Sequence, residues 1–130
     1  MSSAVSRALS GRLRLQRSRR GSDSLEVTRA RNDLLAALAR LEEQQVAWSE
    51  EIDPGEVYAL TAVSMRWGSQ PGAKAMLEGA LARLPADNVV SLQQLQVAIA
   101  WLEGKNADLS LAWFESRGFA RRAALWRSLW

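Results

Sequence analysis

The chain contains no cysteine and no histidine. Without cysteine there is no disulfide scaffold, no thiolate zinc cluster, no CxxC redox pair and no thiol nucleophile. Without histidine the commonest general base and the commonest transition-metal ligand are missing, and with them every Ser-His or Cys-His arrangement. Long apolar runs are also missing: no stretch reaches the ~18 residues that a transmembrane helix needs. The N-terminus lacks the apolar core of about 7–15 residues that marks a secretory signal peptide. What is left is a chain of 130 residues, 48% of them hydrophobic, which suits one globular domain. The expectation is a protein that works by binding, with no catalytic residue, cofactor or metal.

Acidic residues are absent from the first 22 positions, which instead carry Arg7, Arg12, Arg14, Arg17, Arg19 and Arg20. The remaining residues hold 11 basic and 14 acidic side chains. The formal charge of +3 is therefore a basic segment attached to a mildly acidic body, and a uniformly basic nucleic-acid face is excluded. Residues 1–22 read as a flexible Ser/Arg-rich arm, and 23–130 as one helical domain. The arm admits three roles: a solvated terminus, an electrostatic arm for phosphate or anionic lipid through Arg12, Arg14, Arg17, Arg19 and Arg20, or a targeting segment. Leu9, Leu13 and Leu15 would form one apolar edge of a transient helix there. Fifteen of the 17 basic residues are arginine, which points to a GC-rich bacterial source. The expected location is the bacterial cytoplasm, with export through a secretion system as the alternative.

Beyond residue 22 the pattern is helical throughout. Asp23 with Glu26 three positions later is a capping-box-like start. Val27, Leu34, Leu38, Leu41, Trp48 and Ile52 then follow on a 3-4 spacing, interrupted by Arg31 and Gln45, with Leu35 and Ala37 widening the stripe. This predicts one long helix, either packed along the body or extended toward a partner. Asp53-Pro54-Gly55-Glu56 opens the next helix: Asp caps it, Pro takes the first turn, and Glu56 returns toward the cap. That helix should end at Gly68-Ser69-Gln70-Pro71-Gly72. Further helices are predicted over 73–84, from Val89 or Leu92 to Glu103, over 107–117 and over 119–130, with Gly118 as the break between the last two. The fold class is all-α, with five or six antiparallel helices.

Residues 54–87 form helix, turn, helix and closing proline. Leu60 falls on the leucine of the tetratricopeptide pattern, Gly68 on its turn glycine, and Ala73 with Leu77 on its A-x3-F step. Ala80, Leu81 and Pro85 also follow in register. The segment resembles one tetratricopeptide-like hairpin, although Val57, Thr61 and Ser64 replace the expected Trp, Gly and Tyr. Residues 88–121 resemble a degenerate second copy through Ala107 and Leu111, with Gly104 two positions late. The resemblance implies stacked helix pairs whose concave face holds a peptide or helix. It also implies kinship with small proteins that serve as chaperones and regulators of bacterial type III secretion.

Three constellations bear on chemistry. Gly68 to Lys74 has the wrong spacing for a phosphate-binding loop and lacks its hydroxyl residue. Glu42, Glu43, Glu50 and Glu51 form an acidic stretch whose adjacent members diverge by about 100° on a helix and cannot chelate as pairs. Residues 56–84 offer only Lys74 and Arg83 on the second helix, too few cations for a DNA-recognition helix. The C-terminus is more informative. Trp113, Phe114, Phe119, Trp126 and Trp130 alternate with Arg117, Arg121, Arg122 and Arg127. A core face, a partner-binding face, a membrane-surface helix and a base-stacking face are all open to it. The candidate partner-binding set is Trp113, Phe119, Arg122, Trp126 and Trp130, with Leu60 and Leu77 from the hairpin groove. The expected partner is another protein, helical, bound in a homo- or hetero-oligomer by a non-enzymatic chaperone or adaptor. The alternative is an accessory nucleic-acid binder acting through the N-terminal arginines.

Overall fold

A computed structural model describes residues 3–43 and 52–130. Seven helices follow in chain order: α1 Ser3–Arg17, α2 Ser24–Glu43, α3 Pro54–Trp67, α4 Ala73–Arg83, α5 Val89–Leu102, α6 Asp108–Ser116 and α7 Ala120–Leu129. Among the described residues there is no β-strand, so the all-α class stands, with seven helices where five or six were expected. No helix is long and apolar enough to cross a membrane.

The additional helix is α1. Where the sequence suggested a flexible arm over 1–22, residues 3–17 are helical and pack lengthwise on α2. The contact is built from small residues. Ala4, Val5 and Ala8 are buried, and a Cβ on Gly11 would stand 2.6 Å from Leu34 Cγ. Of the three leucines expected to form an apolar edge, Leu15 is fully buried, Leu9 is half-buried and Leu13 is exposed. The arginines are answered from α2: Asp33 accepts from Arg7 at 3.4 Å, Ser10 at 2.9 Å and Arg14 at 3.1 Å, and Glu26 lies 3.4 Å from Arg14. A run of positive charge therefore folds here because its counter-charges sit on the next helix.

The turn between α1 and α2 closes on Ser18, which is buried. Its hydroxyl donates to Leu15 O and accepts from Gly21 N, while Asp23 N donates to Ser18 O. Arg19, Arg20 and Gly21 all take positive φ, at 53°, 57° and 87°. Gly21 is required, since a Cβ would meet the Trp67 ring at 2.6 Å. Asp23 Oδ1 then accepts from Glu26 N at 3.1 Å, so α2 starts at the predicted cap. On α2, Val27, Ala30, Leu34, Ala37 and Leu38 are buried, whereas Leu35 is exposed rather than part of the stripe. Trp48, Gln45, Glu50 and Glu51 lie outside the described residues.

At the centre lies α3, buried from Gly55 to Ser64 and packed against α2, α4 and α5. Its cap forms as expected, with Asp53 Oδ1 accepting from Glu56 N at 3.0 Å and Pro54 in the first turn. Gly55 lets α5 approach: an added Cβ would lie 2.3 Å from Ser91 O. Leu60 and Leu77 are fully buried on α3 and α4. Trp67 and Trp101 meet edge-to-face at 5.9 Å, and Arg66 donates to Leu102 O at 2.8 Å, closing the C-terminal end of α5.

Candidate interaction surface

Helix α7 is seated by two polar arrangements that begin on α3. Glu56, fully buried, does not complete a capping box. It lies 3.4 Å from Arg12, 3.2 Å from Arg121 and 3.3 Å from Arg122. Arg122, also buried, pairs with Asp53 as well. Asp53 further accepts from Ser91 Oγ at 2.7 Å, and that hydroxyl accepts from Gly55 N at 3.1 Å. One cluster thus joins α1, α3, α5 and α7. Each buried charge has opposite-sign partners and hydrogen bonds, the condition under which such groups are tolerated away from water. One turn further along α7, Trp126 is 0% exposed, and its indole N–H donates to Gln94 Oε1 at 2.9 Å.

The outer side of this end is different. Trp113 stacks on Phe119 with centroids 6.5 Å apart and rings 12° from parallel, and meets Phe114 edge-on at 5.3 Å. The Arg117 guanidinium lies 4.8 Å from the Trp113 ring centre, an arrangement that favours the cation through the ring quadrupole. Trp130 is 38% exposed and touches Trp126 edge-on at 6.3 Å. It lines an open cleft of about 470 Å³ with Lys105, Asn106, Asp108, Leu111 and Arg127. Asn106 accepts from Asp108 N at 2.7 Å, a local side-chain turn that leads from the cleft into α6. Leu109, next in sequence to Asp108, is 89% exposed. Beside the cleft, a hydrogen bond from Lys105 holds the Glu103 carboxyl below the usual carboxylate range. Desolvation partly opposes this, and the charges of Lys105 and Lys74 reinforce it.

The sequence-predicted partner-binding residues therefore divide. Leu60, Leu77, Trp126 and Arg122 are buried and hold the fold, Trp113 and Phe119 are half-buried, and Trp130 is exposed. A helical stripe shows which side chains share a face but not which of them a neighbouring helix covers. Among the arginines first read as an arm, Arg12 and Arg14 are engaged by Glu56, Glu26 and Asp33, and Arg20 donates to Ser128 O at 3.3 Å. Arg17 and Arg19 are exposed and make no ion pair among the described residues. Sequence reasoning missed the cleft residues Lys105, Asn106 and Asp108, which looked like an ordinary turn. It also missed the role of Glu56, although the acid-poor C-terminus with Arg121 and Arg122 was a signal that carboxylates elsewhere must answer them.

Among the described residues, no group of three His, Cys, Asp or Glu side chains could hold a metal ion. Comparison of the chain with protein-family models, with curated proteins and with solved structures finds no match.

Proposed function

We propose that this chain is a non-enzymatic interaction module, a small helical chaperone or adaptor, that holds a helix of another protein at its α5–α7 end. The observation that carries the reading is Trp130, 38% exposed on the rim of the cleft that Arg127, Lys105 and Asp108 also line, with the exposed Leu109 next in sequence to Asp108. Tryptophan and arginine are the residue types enriched at the energetic centres of protein interfaces. A large ring half out of water at a concave surface is the kind of anchor point that a partner helix covers. The bacterial cytoplasm and a role in protein secretion belong to the same proposal; the first rests on the preference for arginine over lysine, the second on the tetratricopeptide-like spacing of residues 54–87.

The test is co-purification from the native host with the full chain, Trp130→Ala and Leu109→Ser, read by mass spectrometry. The expected result is one protein recovered in fixed stoichiometry by the parent chain and lost from both variants, with melting unchanged. A control variant, Leu13→Ser, alters an exposed leucine on α1 and should retain it. Equal recovery by every variant, or no stoichiometric protein with any, would sink the reading.

A further inference from the structure

The tip of the α1–α2 hairpin puts cations and leucines on one surface. An open hollow there is lined by Arg17, Arg19, Ser22, Asp23, Ser24 and Leu25. Leu13 stands one turn before Arg17, so the two share a face of α1. Both leucines lie well out in water, Leu25 at 56% exposure and Leu13 at 46%. The guanidinium groups of Arg17 and Arg19 are exposed and make no ion pair or hydrogen bond among the described residues. Arg20, also exposed, donates to the neutral carbonyl of Ser128 at 3.3 Å.

These cations leave from a fixed turn and not from a loose arm. Ser18 is buried beneath it and bonded to Leu15 O and Gly21 N, and Arg19 and Arg20 hold φ at 53° and 57°. Asp23 is the acid that lines the hollow, and its Oδ1 accepts from Glu26 N at 3.1 Å. The next carboxylate, Glu26, lies 3.4 Å from Arg14 and 3.7 Å from Arg29. By sequence, residues 1–33 hold eight arginines and three acids, whereas the rest of the chain holds nine basic and eleven acidic side chains. The field of the molecule is therefore positive around this hairpin and mildly negative over the remainder.

We infer that the hairpin tip rests on a membrane surface rich in anionic lipid, with Arg17, Arg19 and Arg20 among the headgroups and Leu13 and Leu25 entering the boundary with the acyl chains. Arginine stems and neighbouring leucines bury together there while the guanidinium stays in the headgroup layer. Each arginine near such a surface raises partitioning about fivefold. A phosphate backbone would leave the two leucines unused. A protein interface needs a contiguous apolar centre, which two leucines separated by arginines do not form. A bilayer takes each leucine separately. None of these side chains lines the Trp130 cleft, so loss of one proposal does not remove the other.

The experiment is sedimentation of the full chain with phosphatidylcholine vesicles containing about one third phosphatidylglycerol, against vesicles of phosphatidylcholine alone. The chain should pellet with the anionic vesicles only, and less so as salt rises. Arg17→Gln with Arg19→Asn should weaken binding by about tenfold or more. Asn at position 19 keeps the left-handed turn, so the fold is retained. Leu13→Ser with Leu25→Ser should weaken it by about fivefold with melting unchanged, since both side chains already face water. Arg40→Gln alters an exposed cation about 22 Å along α2 from Leu25, beyond the Debye length of about 8 Å, and should leave binding within about twofold. Equal binding to vesicles without phosphatidylglycerol, or equal binding by the arginine variant, would overturn the assignment. So would equal binding by the leucine variant, or tighter binding of a labelled oligothymidine than of the vesicles at the same phosphate concentration, since either result marks a site for any polyanion.

Discussion

Trp126 and Trp130 stand one turn apart on α7, in a single stripe of the sequence, and their surroundings are opposite. Trp126 is sealed between α7 and α5 with its indole N–H satisfied by Gln94, whereas Trp130 lies at the cleft rim with over a third of its surface in water. The inner part of α7 is held by buried polar groups, the Asp53–Glu56–Arg122 ion pairs and the Trp126–Gln94 hydrogen bond, and its outer end by exposed ones. The pair teaches that aromatic periodicity locates a helix face but not where the core stops along it. That boundary is set by where α5 ends, and α5 stops at Leu102.

The comparison breaks most readily at its ends. Trp126→Ala should cost about 3–5 kcal/mol, because it opens a large cavity and leaves Gln94 Oε1 without its donor. Trp130→Ala should cost less than about 1 kcal/mol, the usual range for a surface change. Urea denaturation followed by circular dichroism compares them directly. Since small domains hold only about 5–15 kcal/mol in total, the first variant should lose a large share of its stability. Equal losses would show that Trp130 belongs to the core and would remove the anchor proposed for a partner.

Glu56 sharpens the same contrast with charge instead of volume. Glu56→Gln keeps the shape but removes the carboxylate that faces Arg12, Arg121 and the buried Arg122, which also pairs with Asp53. The expected loss is about 3 kcal/mol, at the low end for a broken buried pair. Asp33→Asn makes the equivalent change on the half-buried carboxylate that joins α1 to α2 and should cost about 1 kcal/mol or less. The ratio of the two losses measures how far α7 depends on its buried cluster. A loss from Glu56→Gln no larger than that from Asp33→Asn would mean that α7 is held by packing alone.

Much of this fold was legible because its helix ends carry local chemistry. Asp23, the Asp53-Pro54 step, the Gly68–Gly72 turn and Gly118 each mark a boundary that forms in three dimensions. Helix α1 was not legible. Its buried face is written in Ala4, Ala8 and Gly11, which score weakly as core and pack only because α2 comes close. Its arginines resemble a solvated arm until Asp33 and Glu26 are seen opposite them. The fate of Glu56 was hidden for a similar reason: its spacing from Asp53 fits a capping box, and only the tertiary arrival of Arg121 and Arg122 turns it inward. The cleft beside Trp130 is likewise tertiary, since it joins the turn after α5 to the end of α7.

The smallest expected effect lies at the outer end, where Glu103 meets Lys105 at 3.2 Å and Lys74 at 3.7 Å. The Glu103 carboxyl is held below the usual carboxylate range, first by the hydrogen bond from Lys105 and then by the charges of both lysines, against a partial desolvation penalty. A folded-state value below the unfolded one means that the charged form is favoured by folding. Its contribution is therefore present at neutral pH and fades as pH drops through the ordinary carboxylate range toward the lowered folded value. Lys105→Met should move the Glu103 titration upward toward the ordinary value, read by NMR on the side-chain carboxyl carbon. The global unfolding midpoint should scarcely change, since exposed ion pairs contribute little. An unmoved titration would mean that Lys74 alone holds the charge. A large drop in midpoint would mean that the cleft wall is as firmly built as the inner face of α7, and the distinction between Trp126 and Trp130 would then rest on exposure alone.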